Sequence, residues 1–186
     1  DAVENGWPAP LEIEEHSHAG LANRYVAGAS GLPCSVMRGY NGTDLIDKTE
    51  SVATLSCPFT GENLTAIRAL NPDVAIIHAQ RADRQGNVQI WGITGIQKEA
   101  VLAADRSLVT VEEVVHSFDD SPIAHGIPSM AVSMIAHVPG GARPSYALGY
   151  YDRDNEAYKQ WDALSRDRGK FQEWLDAVMI TNGKSQ

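Results

Sequence analysis

Three polar clusters in this sequence have the composition of chemistry rather than of plain turns. "HAQRADRQGN" runs from His78 to Asn87, directly behind the apolar run "VAII" at 74–77. "EEHSH" spans Glu14 to His18, and "PGGARPS" runs from Pro139 to Ser145 behind an apolar stretch ending at Val138. Reversing the chain after Ile77 needs little more than Gly86 and Asn87. The extra groups at His78, Gln80, Arg81, Asp83 and Arg84 therefore ask for another explanation. Arg81 and Arg84 could grip a phosphate or carboxylate, or pair with Asp83 on the surface. Glu14 and Glu15 beside imidazoles could act as acid and base, or be exposed strand-end carboxylates. In "PGGARPS", successive N–H groups around Gly140 and Gly141 could nest an anion, or the glycines could simply form a loop.

A metal site is not predicted. His16 and His18 stand two apart and would need further ligands, and His78, His116, His125 and His137 show no zinc-type spacing. Capping of a following helix by Ser17 or the His16 backbone is the simpler role for "HSH". No dinucleotide fingerprint, phosphate-cradling loop or nucleophile elbow occurs.

These clusters need elements to hold them. "LEIEEHS" begins strand-like at Leu11 and Ile13. "AGLANRYVAGASG" reads as a helix with Leu21, Tyr25 and Val26 on one face, capped at Gly31. "LPCSVMRGY" is a strand, and 41–60 an excursion with short strands. "NLTAIRALNP" reads as a short helix stopped by Pro72. "DVAIIHAQ" is the strongest strand, with "NVQIWG" its partner across a turn. "IQKEAVLAAD" is helical, "SLVTVEEVV" a strand, and "SMAVSMIAHV" ambiguous. Residues 156–180 form an amphipathic helical region in which Trp161, Leu164, Phe171, Trp174, Leu175 and Val178 recur at helical spacing. That stripe suits core packing or an interface better than base stacking. Alternating strands and helices predict an α/β fold with an open, largely parallel sheet flanked by helices. In such sheets ligands bind where loops leave the carboxyl ends of strands, so the three clusters are expected to share one rim.

Composition narrows the function. At 186 residues the chain fits a single domain, 1–186, by the usual prior of about 100–200 residues. A net charge of −9 argues against nucleic-acid binding, which needs a basic face. Cys34 and Cys57 read as two buried thiols rather than a disulfide. No apolar run has the length of a membrane span and no signal peptide opens the chain, so a cytoplasmic protein without membrane contact is expected.

The ordered blocks "EEHSHAGLANRYVAGASGLP", "GTDL", "CPFTGE", "PDVAIIHAQRADRQGNVQIWG", "QKEA", "LVTVEEVV" and "HVPGGARPSYALGYYDRDN" closely resemble the alpha-type subunits of class I coenzyme A transferases, the glutaconate-type branch above all. The resemblance runs from Pro10 to about Leu175. It implies transfer of CoA from an acyl-CoA to a free mono- or dicarboxylic acid through a glutamyl-CoA thioester. It also implies that the glutamate nucleophile belongs to a beta-type partner in a hetero-oligomer. CoA enters as a substrate and no cofactor is implied. This chain would then form an active-site wall from His16, Ser17, His18, Gly20, Gln80, Arg81 and Asn87, with Gly140, Gly141 and Ser145 on a nearby loop. Glu14 and Glu15 remain secondary catalytic candidates.

The family pattern opens with a strand–helix segment ahead of the position of Asp1, so the N-terminal part of the fold is expected to be missing here. A sheet without it would expose a strand edge, and the piece alone is expected to be inactive. Two alternatives stand beside the transferase: an acyl-CoA or ring-opening hydrolase on the same scaffold, and a non-catalytic ligand-binding or scaffold domain.

Overall fold

The computed structural model describes residues 2–118 and 126–183, which leaves His125 outside the described residues. The chain divides into two compact units, one of residues 13–141 and one of 1–12 with 142–186. Helix α1 (Ala2–Asn5) belongs to the smaller unit. In the larger unit, α2 (His18–Ala29) leads to β1 (Cys34–Met37), the short α3 (Leu45–Lys48), β2 (Val52–Ser56) and β3 (Asn63–Arg68). Then come β4 (Val74–Asp83), β5 (Val88–Gln89), α4 (Gln97–Ala103), β6 (Arg106–Val115), β7 (Gly126–Ile127) and β8 (Met134–His137).

The main sheet has the order β7-β5-β4-β6-β8. Strands β4, β6 and β8 run parallel, and the hairpin partner β5 and then β7 add antiparallel edges. Helix α4 supplies the crossover that a parallel β4–β6 pair requires. Period-two alternation divides the two long strands as far as Ala79 and Val111. Ala75, Ile77 and Ala79 of β4 and Val109 and Val111 of β6 are buried in the apolar core, joined by Val88, Ile90, Val101 and Ile127. Ile76 and His78, with Leu108 and Thr110 beside them in register, lie on the opposite face.

A second, wholly antiparallel sheet of order β1-β3-β2 was not foreseen. Its central strand is the segment read as a helix, "NLTAIR". Thr65 and Ile67 are buried while their neighbours are less so, a two-residue period. Pairing on both sides, with β1 and β2, overrides the weak helical preference of a six-residue stretch. Leu11 and Ile13 also differ from expectation: they lie in irregular chain at 59% and 62% exposure. Pro8 and Pro10 just upstream lack the N–H groups that a strand would contribute.

Helix α2 forms where predicted. Ser17 Oγ accepts the Gly20 N–H at 3.0 Å as its N-cap. At the other end Gly31 adopts φ 66° and the Leu32 N–H reaches back to Ala27 O at 2.9 Å, a left-handed stop. Its buried stripe is not the apolar one, however. Gly20, Arg24, Ala27 and Gly28 face inward, and Val26 is exposed. Gly28 lies so close to its neighbours that an added Cβ would sit 2.4 Å from Leu70 O and 3.2 Å from Ala103 Cβ. Cys34 and Cys57 are both free and both half-buried, so the buried-thiol expectation fails for each. Cys57 lies in the tight 57–62 turn, where its N–H and C=O bond Glu62 and Gly61.

In the smaller unit, α5 (Asn155–Ser165) and α6 (Arg168–Gly183) replace the single helical region read at 156–180. Asp154 caps the first through the Ala157 N–H, and Asp167 accepts from Lys170 N–H at the start of the second. Trp161 meets Trp174 edge-to-face at 4.8 Å between centroids, and Phe171 stacks on Trp174. The aromatic stripe is thus the contact between two helices. The Arg168 guanidinium lies over the Trp7 ring at 4.9 Å.

The close approach at Gly28 gives a direct test of this packing. Gly28→Ala is expected to lower stability by about 1–3 kcal/mol, as overpacking does, read as a reduced midpoint in urea denaturation with an unchanged slope.

Candidate functional site

The predicted residues of the larger unit fall into three groups, each built by different elements. The first forms around the chain entering α2. The Arg24 guanidinium, 9% exposed, donates through Nη1 to Glu14 Oε2 at 2.9 Å and to His16 Nε2 at 2.6 Å. Its Nε donates to Arg68 O at 3.1 Å. A guanidinium can only donate, so His16 Nε2 is an acceptor and Nδ1 carries the proton toward the Tyr40 hydroxyl, 3.1 Å away. Ser51 completes the group. Its N–H donates to Glu14 Oε1 at 2.9 Å and its hydroxyl lies 3.2 Å from His16 Nε2.

Hydrogen bonds from Ser51 lower the Glu14 pKa to about 2 against the opposing cost of burial, with lesser help from the Arg24 guanidinium. Tyr40 is buried with φ 73°, an unusual conformation for a side chain of this size. Its hydroxyl accepts the Ser17 N–H at 3.1 Å. Gly20 is glycine because that hydroxyl occupies the place of a Cβ. His18 is the first residue of α2 and is exposed. Glu15 is exposed as well, its carbonyl accepting from Thr49 Oγ1 at 3.3 Å.

The second group lies at the carboxyl end of β4. Buried Gln80 uses its side-chain amide like a strand partner, donating to Trp91 O at 3.1 Å and accepting Trp91 N–H at 3.2 Å. Arg81 pairs with Glu113 at 2.9 Å, not with Asp83, and lies 5.7 Å from the Trp91 ring centroid. Asp83 is instead the organiser of the turn. Its Oδ1 accepts the N–H groups of Gln85 and Asn87, both at 2.9 Å, and its Oδ2 accepts Asn87 Nδ2 at 2.8 Å. Asn87 Oδ1 then accepts the Ser129 N–H. The Asp83 and Asn87 side chains are thereby turn chemistry. Arg84 is exposed.

The third group sits under the loop after β8. His78 Nε2 and Glu112 Oε1 are 2.6 Å apart, and Glu112 Oε2 accepts the Gly140 N–H at 2.8 Å. His78 Nδ1 lies 2.8 Å from Thr110 Oγ1. An added Cβ on Gly141 would sit 2.8 Å from His78 Nδ1. The Glu112 side chain is 3% exposed and His78 15%. The Gly141 N–H donates to Val138 O at 3.0 Å, so the two glycine N–H groups serve the chain itself and do not form an anion nest. Ser145 belongs to the smaller unit, where its N–H donates to Ala142 O.

Arg24, Tyr40, Ser51, Thr110 and Glu112 were missed by the sequence reading. Two of them carried a signal. Arg24 occupies the 20, 24, 27, 28 stripe of α2, and Glu112 is the charged member of the Leu108, Thr110, Glu112, Val114 period of β6. Chemically, the first group is an ion-paired, hydrogen-bonded cluster, the second a strand end with a cation against an aromatic ring, and the third a buried carboxyl–imidazole pair under a glycine loop.

Known proteins share the sequence pattern and the fold of this chain. Residues 8–137 match the sequence pattern of the coenzyme A transferase family. The A-type subunit of the 3-oxoadipate CoA-transferase of Pseudomonas knackmussii is 56% identical over 176 residues, which is 95% of this chain and 62% of that protein. The A-type subunit of the glutaconate CoA-transferase of Acidaminococcus fermentans is 32% identical over 89% of this chain and 58% of its own length. The crystal structure of that enzyme superposes with a TM-score of 0.84 at 30% identity, covering 90% of this chain and 59% of that one. The decarboxylase AibA/AibB, as a C56S variant, superposes with a TM-score of 0.78 at 29% identity over 91% and 62%. The chain thus spans about 60% of the length of these relatives.

The Glu14 group has a pH signature. A carboxylate whose folded pKa is depressed from 4.5 to about 2 adds stability that is fully present above the higher value and lost as pH falls through the lower. The urea midpoint of the wild type is therefore expected to fall between pH 4.5 and 2 more steeply than that of Glu14→Gln.

Proposed function

The chain belongs to the coenzyme A transferase family, and on that premise we propose that it is the alpha-type part of an enzyme moving CoA from an acyl-CoA to a free carboxylic acid. The observation that carries this reading is the 56% identity with the A-type chain of a CoA-transferase along 95% of this one. The two named relatives act on 3-oxoadipate and glutaconate, both dicarboxylic acids, so the acceptor proposed here is a dicarboxylic acid too.

The reaction proceeds by covalent exchange. A glutamate carboxylate of the beta-type partner attacks the thioester carbonyl, the C–S bond breaks, and CoA thiolate leaves an acyl–glutamyl anhydride. The thiolate attacks the glutamyl carbonyl of that anhydride and expels the donor acid as its carboxylate, leaving a glutamyl-CoA thioester. The acceptor carboxylate then repeats the two steps in reverse order, restoring the glutamate and forming the new acyl-CoA. Each tetrahedral stage needs fixed donors near its oxyanion.

The geometry of this chain supports the role of wall rather than nucleophile. Glu14 already accepts from Arg24 and from the Ser51 N–H, which occupies its oxygens and lowers its basicity. Glu112 is buried and accepts from Gly140. Neither carboxylate is presented as an attacking group must be. His16, Ser17, Gly20, Gln80 and Arg81 are proposed to line the substrate side, with Arg81, held by Glu113, offering its charge to the distal carboxylate of the acid. A cytoplasmic heteromer is proposed. Among the described residues no helix is long and apolar enough to cross a membrane.

Intact-mass spectrometry of the full-length alpha chain, assembled with a beta-type partner and incubated with a panel of acyl-CoAs, tests the reading. A CoA-sized adduct on the partner alone is expected, and it should persist with Glu14→Gln and Glu15→Gln. An adduct on this chain would overturn the wall assignment. Free CoA released without any acceptor acid and without adduct would identify a hydrolase.

A further inference from the structure

We infer that Glu112 and His78 are positioning residues, a buried clamp that seats the Pro139–Gly141 loop on the sheet and so orients it for CoA transfer. The inference rests on the transferase reading for its catalytic half and on geometry alone for the clamp. Both side chains project from the same face of neighbouring parallel strands, two rungs apart, because the register sets His78 beside Thr110 and Glu112 follows at the next position on that face. Nothing in the formation of the sheet requires a carboxylate and an imidazole there. Ile76, one step back on the same face, is apolar, and the buried face is built from Ala, Val and Ile. A carboxylate 3% exposed is costly unless its oxygens are bonded.

Here each oxygen of Glu112 has a specific partner, and the two partners do different things. Oε1 meets His78 Nε2 at 2.6 Å, so one proton lies on this line, whichever group carries it. Oε2 takes the Gly140 N–H at 2.8 Å. The imidazole is held from its other side by Thr110 Oγ1 at 2.8 Å, and that hydroxyl lies 3.3 Å from the Ile77 carbonyl. Gly141 then lies against the ring so closely that a Cβ would meet Nδ1 at 2.8 Å, Cε1 at 2.9 Å and Val138 O at 2.9 Å. A third contact ties down the strand that feeds the loop: His137 Nε2 lies 3.0 Å from the Glu112 carbonyl. The loop is therefore gripped at consecutive residues, by a hydrogen bond to a buried carboxyl oxygen at Gly140 and by van der Waals contact at Gly141. Both residues need the clamp intact, and the clamp needs glycine at 141.

Conservative chemistry separates this role from simple burial. In Glu112→Gln the amide oxygen can still accept the Gly140 N–H while its NH2 donates to His78 Nε2, which then keeps the ring in its Nδ1–H form facing Thr110. Glu112→Ala removes both bonds. Gly141→Ala leaves both clamp side chains in place and lifts the loop off the ring. Because Gly141 has no left-handed φ, that variant strains only the contact.

The test uses the full-length alpha-type chain assembled with its partner, with two readouts. Residue-resolved hydrogen exchange at the Gly140 amide should accelerate about 10- to 100-fold in Glu112→Ala, the worth of one bond to a charged group, and should accelerate in Gly141→Ala as well. Glu112→Gln should restore most of the protection, and ring 15N shifts should report the Nδ1–H form of His78. CoA transfer should show kcat reduced about 10- to 100-fold in the two loosening variants, with KM for acyl-CoA little changed and Glu112→Gln largely rescued. Unchanged Gly140 exchange in Gly141→Ala and Glu112→Ala would overturn the clamp. A loosened loop with unchanged kcat would overturn its positioning role, as would a Glu112→Gln variant as impaired as Glu112→Ala. If Glu112→Ala does not fold, Gly141→Ala decides alone. A wild-type complex that transfers no CoA would remove the functional reading and the positioning role with it, while the exchange arm still judges the clamp.

Discussion

Parallel pairing of β4 with β6 is the constraint on which the rest of the larger unit depends. Each strand is ten residues long, and they pair from Val74 beside Arg106 to Asp83 beside Val115 with α4 as the crossover. Parallel strands cannot be joined by a tight turn, so the helix between them is obligatory and its apolar side covers the sheet. Alternation does the rest. One face collects Ala75, Ile77, Ala79, Val109 and Val111 into the core. The other carries His78 with Thr110 beside it in register, and Glu112 bonded to the same imidazole. A slip of one residue would bury the polar set and expose the core, so the core itself holds the polar groups in line.

Three buried or half-buried groups of the larger unit share a property: their charged side chains are bonded within the chain itself. Arg24 commits its guanidinium to Glu14, His16 and Arg68 O. Asp83 commits its carboxylate to its own turn. Glu112 commits to His78 and Gly140. Such saturation suits a surface that orients others rather than one that reacts, because preorganised dipoles cost no rearrangement during the reaction. It is also consistent with a division of labour in which the attacking carboxylate comes from a different chain.

Much of this was legible along the chain. The helix after Ser17, the strand and turn from Val74 to Val88, the helix at Gln97 and the strand at Arg106 all announced themselves through caps, periodicity and turn residues. Where the reading went astray, a long-range partner had decided. "NLTAIR" became a strand because β1 and β2 flank it. Leu11 and Ile13, with the right residue types, stayed irregular. The inward stripe of α2 proved to be glycines, an alanine and Arg24, since close backbone approach at Leu70 selects small residues over large apolar ones.

By itself the sequence determined the α/β class, the family, and the three polar clusters worth attention, because periodicity, capping and motif order are local properties of a chain. Only the tertiary structure decided what the clusters do. It separated turn builders such as Asp83 and Asn87 from the clamp beneath Gly140, and it showed that Glu14 is bound to Arg24 and Ser51. Strand register brings Glu112 to His78 across more than thirty positions of sequence. A hydrogen-bond partner that distant leaves no spacing to read, since its position is set by the path of the chain through α4 and back.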